Sequence, residues 1–216
     1  MKLAILALVS LASAGFVRAE EPVPVVVPPS DNGGSNYISV GPTYGRANFS
    51  DTAGLPSDLK NFYGVTFNYG RYFGESSVGV HEVSVQAAAL GAYDKSGSVR
   101  TTLGEAPVLA SYNYNFKLGD TTKLYIGPRV GFAVTTLGID DHSNDFDQID
   151  SDVAFRFGAG IGIRQRFTAH FGMAIGYEYS RTGSTSYSLS DSGTTINASL
   201  GHSDMHALVI SAAWEF

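Results

Sequence analysis

From Tyr37 to Phe216 the chain repeats one pattern: bulky apolar residues at every second position, in runs of about ten residues or more, separated by turn-rich stretches. A period of two sends alternate side chains to opposite faces of a strand. Eight runs can be read, near residues 37–48, 61–73, 78–92, 104–116, 123–137, 152–167, 171–184 and 204–216. In the seventh, Phe171, Met173, Ile175, Tyr177 and Tyr179 share one face. Gly172, Ala174, Gly176, Glu178 and Ser180 share the other. In the sixth, the face opposite Phe155, Phe157, Ile161 and Ile163 reads Arg156, Gly158, Gly160, Gly162, Arg164 and Arg166.

Alternation by itself allows an apolar interior or an apolar exterior. The second face decides between them. A wall facing water needs many Lys and Glu residues. This face holds small residues and a few charges, which suits a narrow interior that side chains nearly fill. Only 16% of the chain is charged, against roughly 25% in soluble domains. The prediction is an all-β fold: a closed antiparallel up-and-down transmembrane β-barrel of eight strands, with its bulky residues toward lipid. Glu82, Glu105 and Pro107 interrupt the third and fourth runs and leave another strand count open.

The connections alternate in length. Residues 74–77, 117–122 and 168–170 are short, whereas 49–60, 93–103, 138–151 and 185–203 are longer. Transmembrane barrels have short periplasmic turns and long extracellular loops, so both chain ends are expected in the periplasm. Two aromatic girdles are expected where the wall leaves the hydrocarbon. One takes Tyr72, Phe73, Tyr114, Phe116, Phe167, Phe171, Trp214 and Phe216; the other takes Tyr44, Phe62, Tyr63, Phe155, Tyr177 and Tyr179. Arg71 falls on the lipid side near a strand end, where it can reach the interface.

Residues 1–19 read as a secretory signal peptide: Lys2, an apolar run from Leu3 to Leu11, and Val17-Arg18-Ala19 before the cut. Its removal takes the 14 basic residues to 12 against 20 acidic ones, a formal charge of −8. That balance argues against nucleic acid as a partner. Residues 20–36, with Pro22, Pro24, Pro28 and Pro29, read as an extended periplasmic linker, with a recognition peptide for a periplasmic partner as the alternative, and residues 37–216 as the barrel. The absence of Cys rules out disulfides and a lipid-modified Cys. Nothing in the sequence calls for a cofactor or a metal.

The final stretch, Ala212-Ala213-Trp214-Glu215-Phe216, closes an alternating run on Phe. It resembles the assembly signal of outer-membrane barrel proteins, with Ile210, Trp214 and Phe216 in the matching positions. Together with the signal peptide and the strand series, the chain is similar to the small eight-stranded bacterial outer-membrane β-barrel family, the group containing outer-membrane proteins A and X. The resemblance implies an outer-membrane location, recognition by the barrel-assembly machinery, surrounding lipids that include lipopolysaccharide, and a monomer. It names no single activity, because this fold hosts several. Outer-membrane protein A carries a peptidoglycan-binding domain after its barrel; this chain is expected to stop at the barrel, so that role does not transfer.

Charges on the interior parity are the sharpest polar feature: Glu82, Arg129, Arg156, Arg164 and Glu178, with Arg166 and Glu215 near the ends. Unpaired charge in such an interior is costly. Pairing is therefore expected, with Arg129 and Glu178, joined by Arg156, forming a central plug. The function expected is that of a non-enzymatic integral barrel supporting envelope integrity and surface interactions through extracellular loops. The alternatives are a small or gated channel, an adhesin with a specific ligand, or a lipid A-modifying enzyme. The enzyme reading has His202, Ser203, Asp204 and His206 beside the last strand and His142 with Ser143 in the third loop, but no ordered nucleophile motif. Asp140, Asp141, Asp145, Asp147, Asp150 and Asp152 read as a solvated acidic loop rather than a Ca²⁺ site, since the EF-hand spacing and turn Gly are missing.

Overall fold

The computed structural model describes residues 34–53, 59–141, 146–191 and 194–216. The signal peptide, most of the linker, and His142, Ser143 and Asp145 lie outside the described residues. Eight antiparallel strands close into a barrel: β1 (Asn36–Phe49), β3 (Asn61–Phe73), β4 (Gly79–Ser96), β5 (Val99–Lys117), β6 (Thr122–Asp141), β7 (Phe146–Arg166), β8 (Phe171–Thr182) and β11 (Ser203–Glu215). Neighbours in sequence are neighbours in the wall, and β11 pairs with β1 to complete it. Closure leaves no barrel edge with unpaired backbone groups, which hydrocarbon would not satisfy. Three more strands, β2 (Thr52–Ala53), β9 (Thr185–Asp191) and β10 (Thr194–Leu200), form a small sheet in the order β2-β10-β9.

The predicted faces hold along every barrel strand. Val65, Phe67, Val85, Val130, Phe157, Ile163 and Ile175 are exposed on the outside, while Ser39, Thr66, Glu82, Asn113, Arg129 and Ser180 are buried within. Two aromatics assigned to the girdles belong inside instead. Tyr72 and Phe62 point inward and are buried, because both lie on the parity of Gly64 and Thr66 rather than that of Tyr63 and Val65. Pro107 does not end its strand. It faces inward within β5, and pairing with β4 is interrupted around it while pairing with β6 runs through it. A proline lacks one ladder donor, so it disturbs one side only.

The strands outrun a membrane. Strands β4 to β7 have 18, 19, 20 and 21 residues, whereas a tilted crossing takes about 9–11. The surplus lies at the long-connection end, so most of what the sequence pattern assigns to loops 93–103 and 138–151 is wall. β4 turns into β5 through Gly97 and Ser98 alone, with Ser96 paired to Val99. Gly97 has φ 64°, a left-handed conformation that Gly adopts without a Cβ clash. The expected acidic loop is corrected in the same way: Asp140, Asp141, Asp147, Asp150 and Asp152 sit on paired strands. The expected loop 185–203 contains the β9–β10 hairpin.

Inside the extended part the chemistry reverses. Phe62, Leu90, Leu103, Leu137, Ile139 and Phe146 from the wall pack with Tyr187 and Leu189 of β9, Ala198 and Leu200 of β10, and Leu59. This is an apolar core of the ordinary kind, built across the mouth of the barrel. The sheet edge at β9 faces β7. There Asp152 Oδ2 accepts from the Ser186 amide at 2.9 Å and Asp150 Oδ2 from the Ser188 amide at 2.7 Å. Alternate residues on both strands match, so two carboxylates occupy the donors of an otherwise open edge.

Candidate functional site

The candidate site is the polar interior of the barrel. Three Arg–Glu pairs cross it, one above another, among the described residues. Nearest the short turns, Arg164 of β7 meets Glu82 of β4. The Glu82 carboxylate also accepts from Tyr37 Oη at 2.5 Å, Asn113 Nδ2 at 3.1 Å and Asn115 Nδ2 at 3.0 Å. Arg164 Nη1 donates to Tyr72 Oη at 2.8 Å. The guanidinium carbon lies 5.1, 5.7 and 4.6 Å from the ring centres of Tyr37, Tyr72 and Tyr125. A fully buried carboxylate is thus compensated by one cation and three neutral donors, and the cation by three aromatic faces.

Glycines make room for these groups. A Cβ on Gly162 would stand 2.6 Å from the Tyr125 ring, and one on Gly160 would stand 2.8 Å from the guanidinium carbon of Arg129. Real Cβ atoms do not approach so closely, which accounts for the small-residue face of β7.

The second pair is Arg129 of β6 with Glu178 of β8. Gln86 of β4 bridges them: it accepts from Arg129 Nη1 at 3.0 Å and donates from Nε2 to both Glu178 oxygens at 3.2 Å. A polar cavity of about 30 Å³ bordered by Glu82, Asn113, Arg129, Arg164 and Glu178 separates this pair from the first. The third pair is Arg156 with Glu105, at 2.6 Å. Arg156 also donates to Ser180 Oγ from Nε at 3.0 Å and from Nη2 at 2.8 Å, and Nη2 touches Met205 Sδ at 3.1 Å. Met205 belongs to the apolar core across the mouth, so the uppermost charge borders that core directly.

The structure therefore brings Arg129 to Glu178 and Arg164 to Glu82, whereas Arg156 does not join the Arg129 pair. Its partner, Glu105, was passed over in the sequence because it sits beside Pro107 and looked like a strand boundary; its parity already matched Leu103 and Leu109. Tyr37, Tyr72 and Gln86 were missed too, since uncharged groups on the interior parity carry no signal of pairing. Arg166 lies at the short-turn rim, where Nη2 donates to the Asp120 carbonyl at 3.3 Å, and Glu215 is partly buried there. Ile210, Trp214 and Phe216 all lie on the outward parity of β11.

Of the residues of the enzyme alternative, the described ones on the last strand, Ser203, Asp204 and His206, do not share one face. Ser203 is buried on the inward parity of β11, while Asp204 and His206 project outward. Asp204 accepts from Arg181 at 2.7 and 2.8 Å and from Tyr179 at 2.6 Å. The barrel wall separates the hydroxyl from its would-be base. Among the described residues no three metal-ligating side chains gather into one site.

The outer membrane protein beta-barrel domain family matches residues 4–203 of the chain. Solved structures of similar fold include a major outer membrane protein from Thermus thermophilus (11% identity, TM-score 0.57, 84% of this chain and 99% of that one). They include Ail, the attachment invasion locus protein of Yersinia pestis (16% identity, TM-score 0.53, 85% and 99%). OprG from Pseudomonas aeruginosa is similar at 15% identity and TM-score 0.53, over 86% and 97%. No curated protein matches the sequence.

Proposed function

The chain belongs to the outer membrane protein beta-barrel domain family, and from that premise we propose that it is a sealed, non-enzymatic barrel that supports envelope integrity and meets its surroundings through its extended hairpin end. One observation carries the reading: three buried ion pairs span the interior, and an apolar core fills the mouth above them. A conducting barrel needs a continuous wet path. Here any path would have to separate pairs whose breakage leaves a buried charge uncompensated, a cost of about 3–5 kcal/mol each.

In this proposal the short turns and both chain ends lie in the periplasm, and the β4–β5, β6–β7 and β9–β10 hairpins rise from the cell surface. The outward series Ile210, Trp214 and Phe216 is the stretch offered to the barrel-assembly machinery. The mature protein is a monomer among outer-membrane lipids. Ail, similar in fold, is described in complex with the heparin analogue sucrose octasulfate. The hairpin end of this chain carries both signs of charge, with Asp140, Asp141 and Asp147 near Lys95 and Arg100.

The channel reading draws on the polar cavity between the first two pairs. Planar-bilayer recording separates the two. The sealed reading expects no unitary steps from the native protein or from Glu178→Ala. Steps in the native protein would replace it with a channel, and steps in the variant alone would make Arg129–Glu178 a gate.

A further inference from the structure

Where the outward face of β3, β1, β11 and β8 leaves its apolar band, the register sets up three successive rows. The first is Tyr63, Tyr44, Leu208 and Tyr177, all exposed on the outside. Two residues further along each strand comes Asn61, Arg46, His206 and Tyr179. The next contains Asn48, Asp204 and Arg181. Register partners on one face stand about 5 Å apart at Cβ, so Arg46 lies between Asn61 and His206 with its side chain exposed.

The first row orients the second. Tyr44 Oη donates to Asn61 Oδ1 at 3.2 Å, which leaves the Asn61 amide nitrogen without a partner among the described residues. Tyr177 Oη bonds His206 Nδ1 at 2.5 Å. In the tautomer in which the phenol donates to Nδ1, Nε2 carries the imidazole proton. The acid in the neighbourhood, Asp204, is already held by Arg181 and Tyr179. What remains, among the described residues, is the Arg46 guanidinium without an acidic partner, flanked by two neutral polar side chains and directly above a row of three tyrosines and Leu208, of the kind that sits at a bilayer interface.

We propose that Arg46, with Asn61 and His206 beside it, binds the phosphate monoester of an acylated glycolipid headgroup, the lipid A type, in the leaflet at the hairpin end. The guanidinium takes two phosphate oxygens as a fork. The Asn61 and His206 N–H groups supply the flanking bonds, and the acyl chains descend over Tyr44, Leu208 and Tyr177. The assignment rests on the reading of the hairpin end as the outer side, but its test does not.

The barrel is reconstituted in phosphatidylcholine nanodiscs doped with diphosphoryl lipid A, with dephosphorylated lipid A, or with phosphatidylglycerol. Lipid retained on the protein is read by native mass spectrometry. The native barrel should retain the diphosphoryl form about tenfold over either of the others, and Arg46→Gln should lose that preference. His206→Gln should lower it by a smaller factor. Arg71→Gln, at the opposite rim, should leave it unchanged, and heat-modifiable gel mobility checks that each variant is folded. Equal retention of dephosphorylated lipid A or phosphatidylglycerol would overturn the proposal, as would an Arg71→Gln loss matching that of Arg46→Gln. Protease access to the hairpins on whole cells reports the orientation separately, so an error there leaves the nanodisc result standing.

Discussion

Strand β5 meets two surroundings along one length. From Phe116 to Val108 its outward residues are Phe, Tyr, Tyr, Ala and Val, while Asn115, Asn113 and Ser111 face in. Beyond Glu105 the outward residues become Thr102 and Arg100, and Leu103 faces in. The same inversion runs through β4 and β6, from Val85 outside and Glu82 inside to Lys95 outside and Leu90 inside, and from Val130 outside and Arg129 inside to Asp140 outside and Leu137 inside. Backbone geometry and parity do not change; the solvent does. In lipid the apolar side earns nothing by turning inward, so polar groups are gathered and paired inside. In water the hydrophobic effect drives the apolar side inward.

The sharpest way to break this contrast is to delete the acid of the lowest pair. Glu82→Ala leaves Arg164 among three rings with no carboxylate, and the expected loss is about 3–5 kcal/mol. Urea unfolding in detergent, followed by the fluorescence of Trp214, should show it as a lower midpoint of the whole barrel. A somewhat smaller effect is expected from Leu137→Ala in the water-side core, about 2–4 kcal/mol. It should be confined there: hydrogen exchange should quicken in β9 and β10 and stay slow at Gly160–Ile163.

The outward faces provide a matched pair. Val130→Arg, near the middle of the apolar band, should cost about 2–4 kcal/mol. Thr102→Arg, on the same face of the extended wall, should change the folding midpoint by less than about 0.5 kcal/mol. Equal costs would mean that the bilayer reaches further up the wall than the inversion says. A smaller effect than that of Val130→Arg concerns Tyr187, whose hydroxyl donates to Thr135 Oγ1 at 2.8 Å. Tyr187→Phe should cost about 1 kcal/mol.

Burial also pushes the Tyr187 phenol above its ordinary value, with the Thr135 bond opposing the shift. A raised acid group contributes stability at pH below its unfolded value, near 10, and that contribution fades as pH rises through the folded value. Proteolysis at the β9–β10 hairpin should therefore quicken in alkali in the native protein and less so in Tyr187→Phe.

The membrane half was the more legible half in the sequence. Its outward residues are bulky and its inward ones small or charged, so alternation and polarity agree at positions such as Ile161 and Gly162. In the water half the outward residues include Thr102, Arg100, Lys95 and Asp140, which in a sequence read as loop, and the apolar alternation is broken there although the strand continues. Tyr72 and Phe62 were misplaced for a related reason. Aromatics near strand ends suggest a girdle, and only the parity of their own run reveals that they face in. The pairing of Arg156 with Glu105, rather than with the Arg129 pair, depends on how far strands slide past one another around the barrel, which alternation does not encode.

The two aspartates against β9 have a consequence for crowding. Outer membranes hold many copies of such barrels side by side, and a bare strand edge would be an invitation for one copy to zip onto the next or to trade hairpins with it. Asp150 and Asp152 take the Ser186 and Ser188 amides that a visiting strand would need, and they hold that edge against the barrel's own β7. Each barrel is thereby made to keep its own hairpin, whatever the density of its neighbours.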